Sequence, residues 1–96
     1  MPKMYLVTVR WIKTTISEAN IASIERQLGS QGEWLRFSAF SWLYWTNSPA
    51  DQISLAVRTV LHADDSVMVI RVVPSEFAGW APEWVWKWLQ DKARSS

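Results

Sequence analysis

Asp64 to Leu89 reads DDSVMVIRVVPSEFAGWAPEWVWKWL, and the rest of the chain is interpreted around it. Asp64 and Asp65 are turn residues. Val67 to Val73 is an apolar, largely β-branched run and the best strand signal in the sequence. Pro74 ends that run, and a tryptophan-dense tail follows. A strand this apolar on both sides is expected inside a sheet, with cover above and below.

Upstream, Asn47-Ser48-Pro49-Ala50-Asp51 has the chemistry of a helix start. Ser48 suits the cap, Pro49 the first helical position, and Asp51 complements the helix dipole. Ile53, Ala56, Val57, Val60 and Leu61 then fall on one stripe. Glu33 to Phe37 and Phe40 to Thr46 read as two strands joined through Ser38-Ala39, a short hairpin connection. Before them, Thr15-Ile16-Ser17-Glu18 matches a capping box. The helix it opens runs to about Leu28, with Ile21, Ile24 and Leu28 on one face and Gly29 and Gly32 ending it. Met4 to Ile12 is the first strand. Tyr5, Val7, Val9 and Trp11 share its apolar side, which should face the helices; Met4, Leu6, Thr8 and Arg10 share the other.

The order is strand, helix, strand, strand, helix, strand. It predicts an α+β, ferredoxin-like βαββαβ fold: a four-stranded antiparallel sheet with two helices on one face. The core spans residues 4–73 of a single domain, 1–96, and residues 74–96 form a Trp-rich extension. Ala81-Pro82-Glu83 opens a short helix there. Trp84 and Trp88 lie on one side of it, Val85 and Leu89 on an adjoining one. This tail either covers the second sheet face or reaches across to a second copy.

Composition narrows the functional classes. The chain has 96 residues, net charge +1 and no cysteine. Disulfides and thiolate metal sites are excluded, and a reducing cytoplasm is the expected setting. The charge is too balanced to mark a nucleic-acid binder in bulk, so a basic patch would have to be local. The first residues, MPKMYLVTVRWIK, are too short and too charged for a membrane span or a signal peptide. Eight tryptophans are many for one small core. Core packing plus a dimer interface accounts for them better than ligand stacking does.

Several strings fall in a recognisable order: MYLVTVRW (Met4 to Trp11), Gly32-Glu33-Trp34, Ser41-Trp42-Leu43, Asp65-Ser66, Trp80-Ala81 and Trp88-Leu89. In this the chain resembles the small CRISPR-associated protein of the Cas-two type, and still more its SinR-like relatives. The resemblance spans nearly the whole chain and implies a homodimer and a magnesium-dependent nuclease. It also implies an aspartate at the end of the first strand, one from each subunit, as the metal ligand. Here Val9-Arg10 stands in that place. Magnesium takes hard oxygen ligands, and a guanidinium supplies none. The expectation is therefore a catalytically inactive dimeric module, with no cofactor, acting in nucleic-acid association or as a protein scaffold. One alternative is a magnesium-dependent endonuclease acting on DNA or RNA through other carboxylates. Another is a pure interaction partner, such as a toxin–antitoxin component.

Arg10, Lys13, Arg36 and Arg71 are the candidate nucleic-acid contacts; the competing reading pairs them with Glu33, Glu76 or Asp65 on a solvated face. Trp42, Trp80, Trp84 and Trp88 are the candidate interface residues. The competing reading has Trp80, Trp84, Trp86 and Trp88 stack bases or sugars; packing explains them better. Asp64 and Asp65 are read as a turn rather than a metal pair. His62, the only histidine, suits a helix C-terminus. No glycine-rich phosphate loop, G-x-S-x-G motif or triad is present.

Overall fold

The computed structural model describes residues 1–95. Seven elements follow in order: β1 (Lys3–Arg10), α1 (Glu18–Gly29), β2 (Gly32–Ser38), β3 (Ser41–Thr46), α2 (Ala50–Arg58), β4 (Ser66–Val72) and α3 (Glu83–Ser95). The strands pair antiparallel in the order β2-β3-β1-β4, which is the ferredoxin-like arrangement.

Strand alternation sorts the core into two layers. On one face Tyr5, Val7 and Val9 of β1 and Trp42 and Tyr44 of β3 pack against Ile21, Ile24 and Leu28 of α1 and Ile53 and Val57 of α2. Trp11 packs at the rim of this layer, and its indole Nε1 donates to the Ala39 carbonyl at 2.9 Å. The side of β1 expected to face the helices does so. On the opposite face Met4, Leu35 and Trp45 are buried beneath Val85 and Leu89 of α3. The tail thus covers part of the second face within its own chain. Lys92 fastens α3 to β2: its Nζ donates to Glu33 Oε1 at 2.9 Å and lies 5.4 Å from the centre of the Trp88 ring. Gly32 permits a close approach where β2 begins, because a Cβ there would fall 2.3 Å from the Trp45 carbonyl oxygen.

Two caps differ from expectation. Ser17, not Thr15, caps α1; its backbone is extended and its Oγ accepts from the Asn20 amide at 3.2 Å. Thr15 instead offers its carbonyl to Asn20 Nδ2, and Glu18 becomes the first helical residue. The α2 cap is Pro49, with no side-chain cap bond, because Ser48 turns back and its amide donates to Thr46 Oγ1. Val60 and Leu61 fall past the end of α2 but still pack on the helix-side core.

The larger difference concerns β4. It is an edge strand, paired only with β1, and not an interior one. Val67 and Val69 pack towards the helices. Met68 and Ile70 point to the other face and stay exposed. A strand apolar on both sides has one side that its own chain does not cover.

Candidate interaction surface

The end of β1 is where the resemblance would place a metal. Arg10 is exposed there and opposite Ser66 in the register. Asp65, at the start of β4, does reach this end, but its oxygens are occupied. Oδ1 accepts from the amides of Ile12 at 2.8 Å, Lys13 at 2.7 Å and Thr14 at 3.2 Å. Oδ2 accepts from the Thr14 hydroxyl and from the His62 amide at 3.0 Å. Partial desolvation acts to raise the Asp65 pKa. The Thr14 hydroxyl and the amides of Lys13, Ile12 and Thr14 overcome this and hold the carboxyl well below the usual carboxylate range. Asp65 is therefore a clamp that ties the loop after β1 to the turn before β4. Among the described residues, no group of three or more His, Asp or Glu side chains converges as a metal site would require.

The sign of the pH effect follows. A depressed carboxyl stabilises the fold above its ordinary value of 3.8, and the benefit is lost as pH falls through the folded value. Asp65→Asn is expected to lower the melting temperature at neutral pH. The gap from the parent protein should narrow steadily below pH 3.8. Thermal melts of the two proteins across that range check this, and equal melting temperatures at neutral pH would count against the clamp.

The four candidate cations do not gather on one face. Arg36 lies on edge strand β2 and Arg71 on the opposite edge, β4. Their cross-strand partners, Trp42 and Tyr5, place both on the helix side. Arg10 lies on the other side. Arg36 is also engaged: Nε and Nη2 donate to Glu25 at 2.6 and 2.7 Å, and Glu18 lies 3.6 Å away. Arg10 and Lys13 remain together at the end of β1. Both are exposed, and neither has an ion pair among the described residues. His62 is engaged in its own turn, where Nδ1 accepts the Asp64 amide at 3.0 Å.

The candidate interface tryptophans separate too. Trp42 is fully buried in the helix-side core, with Nε1 donating to Glu25 at 3.0 Å, so it cannot meet a second chain. Trp88 is half-buried under Lys92, and Trp84 is exposed. Trp80 is 99% exposed.

Beside Trp80 the second sheet face is only half covered. Leu35, Leu43, Leu6 and Ile70 stand side by side across all four strands. The next row towards the end of β1 carries Ser41, Thr8 and Met68, and Phe37 of β2 is exposed close by. Helix α3 covers Met4, Trp45 and Leu35, with Leu43 packed at its margin, and leaves Ile70, Met68 and Phe37 exposed. At the boundary lies an apolar groove of about 290 Å³, lined by Leu6, Phe37, Val73, Phe77, Trp80 and Trp86 among others. A larger cleft of about 680 Å³ on the helix side holds Arg58, Thr59 and His62, but the carboxylate that lines it, Asp65, is already bonded.

No protein-family model matches the chain, and a search of curated proteins finds no match. No helix among the described residues is long and apolar enough to cross a membrane.

The sequence signalled the open half-face only indirectly. The two-sided apolarity of Val67 to Val73 was visible, but edge placement depends on pairing with β1, which is about sixty residues distant. Phe37 adds to that signal: two positions after Leu35 in β2, it falls on the same side of the strand and stays exposed.

Proposed function

We propose that the protein is a small homodimeric module, catalytically inactive, that works as a scaffold and associates with nucleic acid. The observation that carries this reading is the open apolar half-face ending at Arg10. Contiguous apolar surface of this kind marks interaction sites on soluble proteins. Two copies related by a two-fold axis offer the same patch to each other and hide it. The β4 edge adds to the case. Exposed edges are commonly blunted by bulges, prolines or several charges, whereas β4 pairs with β1 in unbroken register and carries one charge, Arg71.

Arg10 and Lys13 give the module its route to phosphate. They sit at the end of β1 with no ion pair among the described residues, where a polyanion gains from both. In form this is the arrangement expected of a Cas-two or SinR-like protein whose metal position has been given to a cation. A magnesium-dependent nuclease finds little support: of the two acids at this end, Asp65 already accepts five hydrogen bonds and Asp64 stands in the turn beside His62, and among the described residues no third carboxylate converges with them.

A salt-titrated binding assay with labelled duplex and single-stranded nucleic acid tests the reading. Affinity should fall as salt rises, and Arg10→Ala with Lys13→Ala should reduce the salt slope by about 2. Added magnesium should yield no cleavage products. Absence of binding at low salt would leave a scaffold without a nucleic-acid role. Magnesium-dependent cleavage would overturn the inactive reading.

A further inference from the structure

We infer that Trp80 is a reciprocal anchor: in the dimer each copy inserts its Trp80 into the apolar groove of the other. The inference rests on the dimer proposed above and names its contact.

Three observations carry it. First, Trp80 is 99% exposed, an unusual position for the largest apolar side chain. Second, the ring is held out on a braced loop. Phe77 stacks on Trp86 with ring centres 5.4 Å apart and planes 7° apart, and Trp86 Nε1 donates to the Ala81 carbonyl at 3.2 Å. Gly79 takes φ +157°, and a Cβ there would come within 3.3 Å of Trp86, so glycine lets the loop lie flat on that ring. An anchor ordered before binding loses less entropy on association. Third, the groove beside it is apolar and, at about 290 Å³, takes a side chain rather than a large ligand. It opens onto the half-face through Leu6 and Phe37, so packing two half-faces together brings each Trp80 near the partner's groove.

The area agrees with a second copy as the occupant. Trp80 is 99% exposed, Phe37 63%, Met68 57% and Ile70 46%, and Val73 and Phe77 are exposed beside them. Together they leave on the order of 700 Å² of apolar surface open, against about 800 Å² per partner in a standard-size interface. A single fully desolvated tryptophan near the centre of such a patch commonly dominates its affinity.

Sedimentation equilibrium of the full chain, Trp80→Ala, Trp80→Phe and Ile70→Arg decides the matter. Trp80 touches the solvent and not the core, so its replacement leaves the fold intact. Trp80→Ala should raise the dimer dissociation constant at least about tenfold, Trp80→Phe should recover most of the loss, and Ile70→Arg should give monomer. If Trp80→Ala dimerises as tightly as the parent while Ile70→Arg does not, the anchor is refuted and the dimer stands. If the parent protein is itself monomeric, the dimer and the anchor both fall. Saturable binding of the dye ANS to that monomer, lost in Trp80→Ala, would then assign the groove to a different apolar occupant.

Discussion

Deleting residues 77–96 is expected to yield a protein that aggregates or fails to fold. The tail is the roof of the second sheet face. Val85 and Leu89 bury Met4, Leu35 and Trp45, and Met4 has no exposed surface at all. Burying one large apolar side chain contributes about 1.5–3 kcal/mol. Five such residues together match the whole net stability of a small domain, about 5–15 kcal/mol. A milder version separates lost cover from lost chain. Leu89→Ala should cost about 2–4 kcal/mol in urea unfolding followed by circular dichroism. Trp84→Ala, on the exposed side of the same helix, should change stability far less. If the truncated protein stays soluble with an unchanged unfolding midpoint, α3 is an appendage and the two-layer core is misread.

Arg36→Leu should produce the second large effect, through Glu25. Glu25 is a buried acid on α1 that faces the sheet. Arg36 grips both of its oxygens, at 2.6 and 2.7 Å, and Trp42 Nε1 supplies a third bond at 3.0 Å. The Arg36 hydrogen bonds are the main reason the Glu25 pKa lies below its ordinary 4.5; burial opposes them and Trp42 assists. Losing Arg36 leaves a buried carboxylate with one donor. Breaking a buried pair costs about 3–5 kcal/mol, and the cost here is about 2–3 kcal/mol because solvent reaches Arg36 and partly replaces it. The pH dependence has a definite sign. Glu25 stabilises the fold above pH 4.5, and its contribution fades as pH falls through the lower folded value. The gap between the parent protein and Arg36→Leu should therefore be widest near neutrality and close on acidification. Chemical denaturation at neutral and acid pH measures it, and a gap that is constant with pH would contradict the role given to Glu25.

The same pair shows what was legible in the sequence and what was not. Alternation along β1 gave both of its faces correctly, since the two-residue period is local. The stripe Ile21, Ile24 and Leu28 and the later one through Ile53 and Val57 were equally local, and they placed both helices on one layer. The tail helix was visible in Pro82 and Glu83. Arg36, by contrast, looked like a surface cation, because nothing in its neighbourhood reveals that Glu25, eleven positions earlier, folds back onto it. Trp42 looked like an interface residue for the same reason: its Nε1 partner lies on another element. The turn at Asp64 and Asp65 is legible locally. The five hydrogen bonds to Asp65, however, come mostly from residues about fifty positions away, whose approach depends on β1 and β4 being neighbours. Ser17 and Thr15 are both competent caps, and the backbone at Ser17 decided between them.

Edge placement of β4 has the widest consequence. An interior strand would need its two apolar sides covered by its own chain. At the edge, Met68 and Ile70 are left facing outward, on the same sheet face as Phe37 of the opposite edge strand. The proposed dimer and its proposed anchor both rest on that surface.

The most direct measurement is the mass of the full chain in solution, by sedimentation velocity over a micromolar concentration series. The account predicts a shift to twice the mass of one chain as concentration rises, and its loss on Ile70→Arg. A single species with the mass of one chain at every concentration would contradict it.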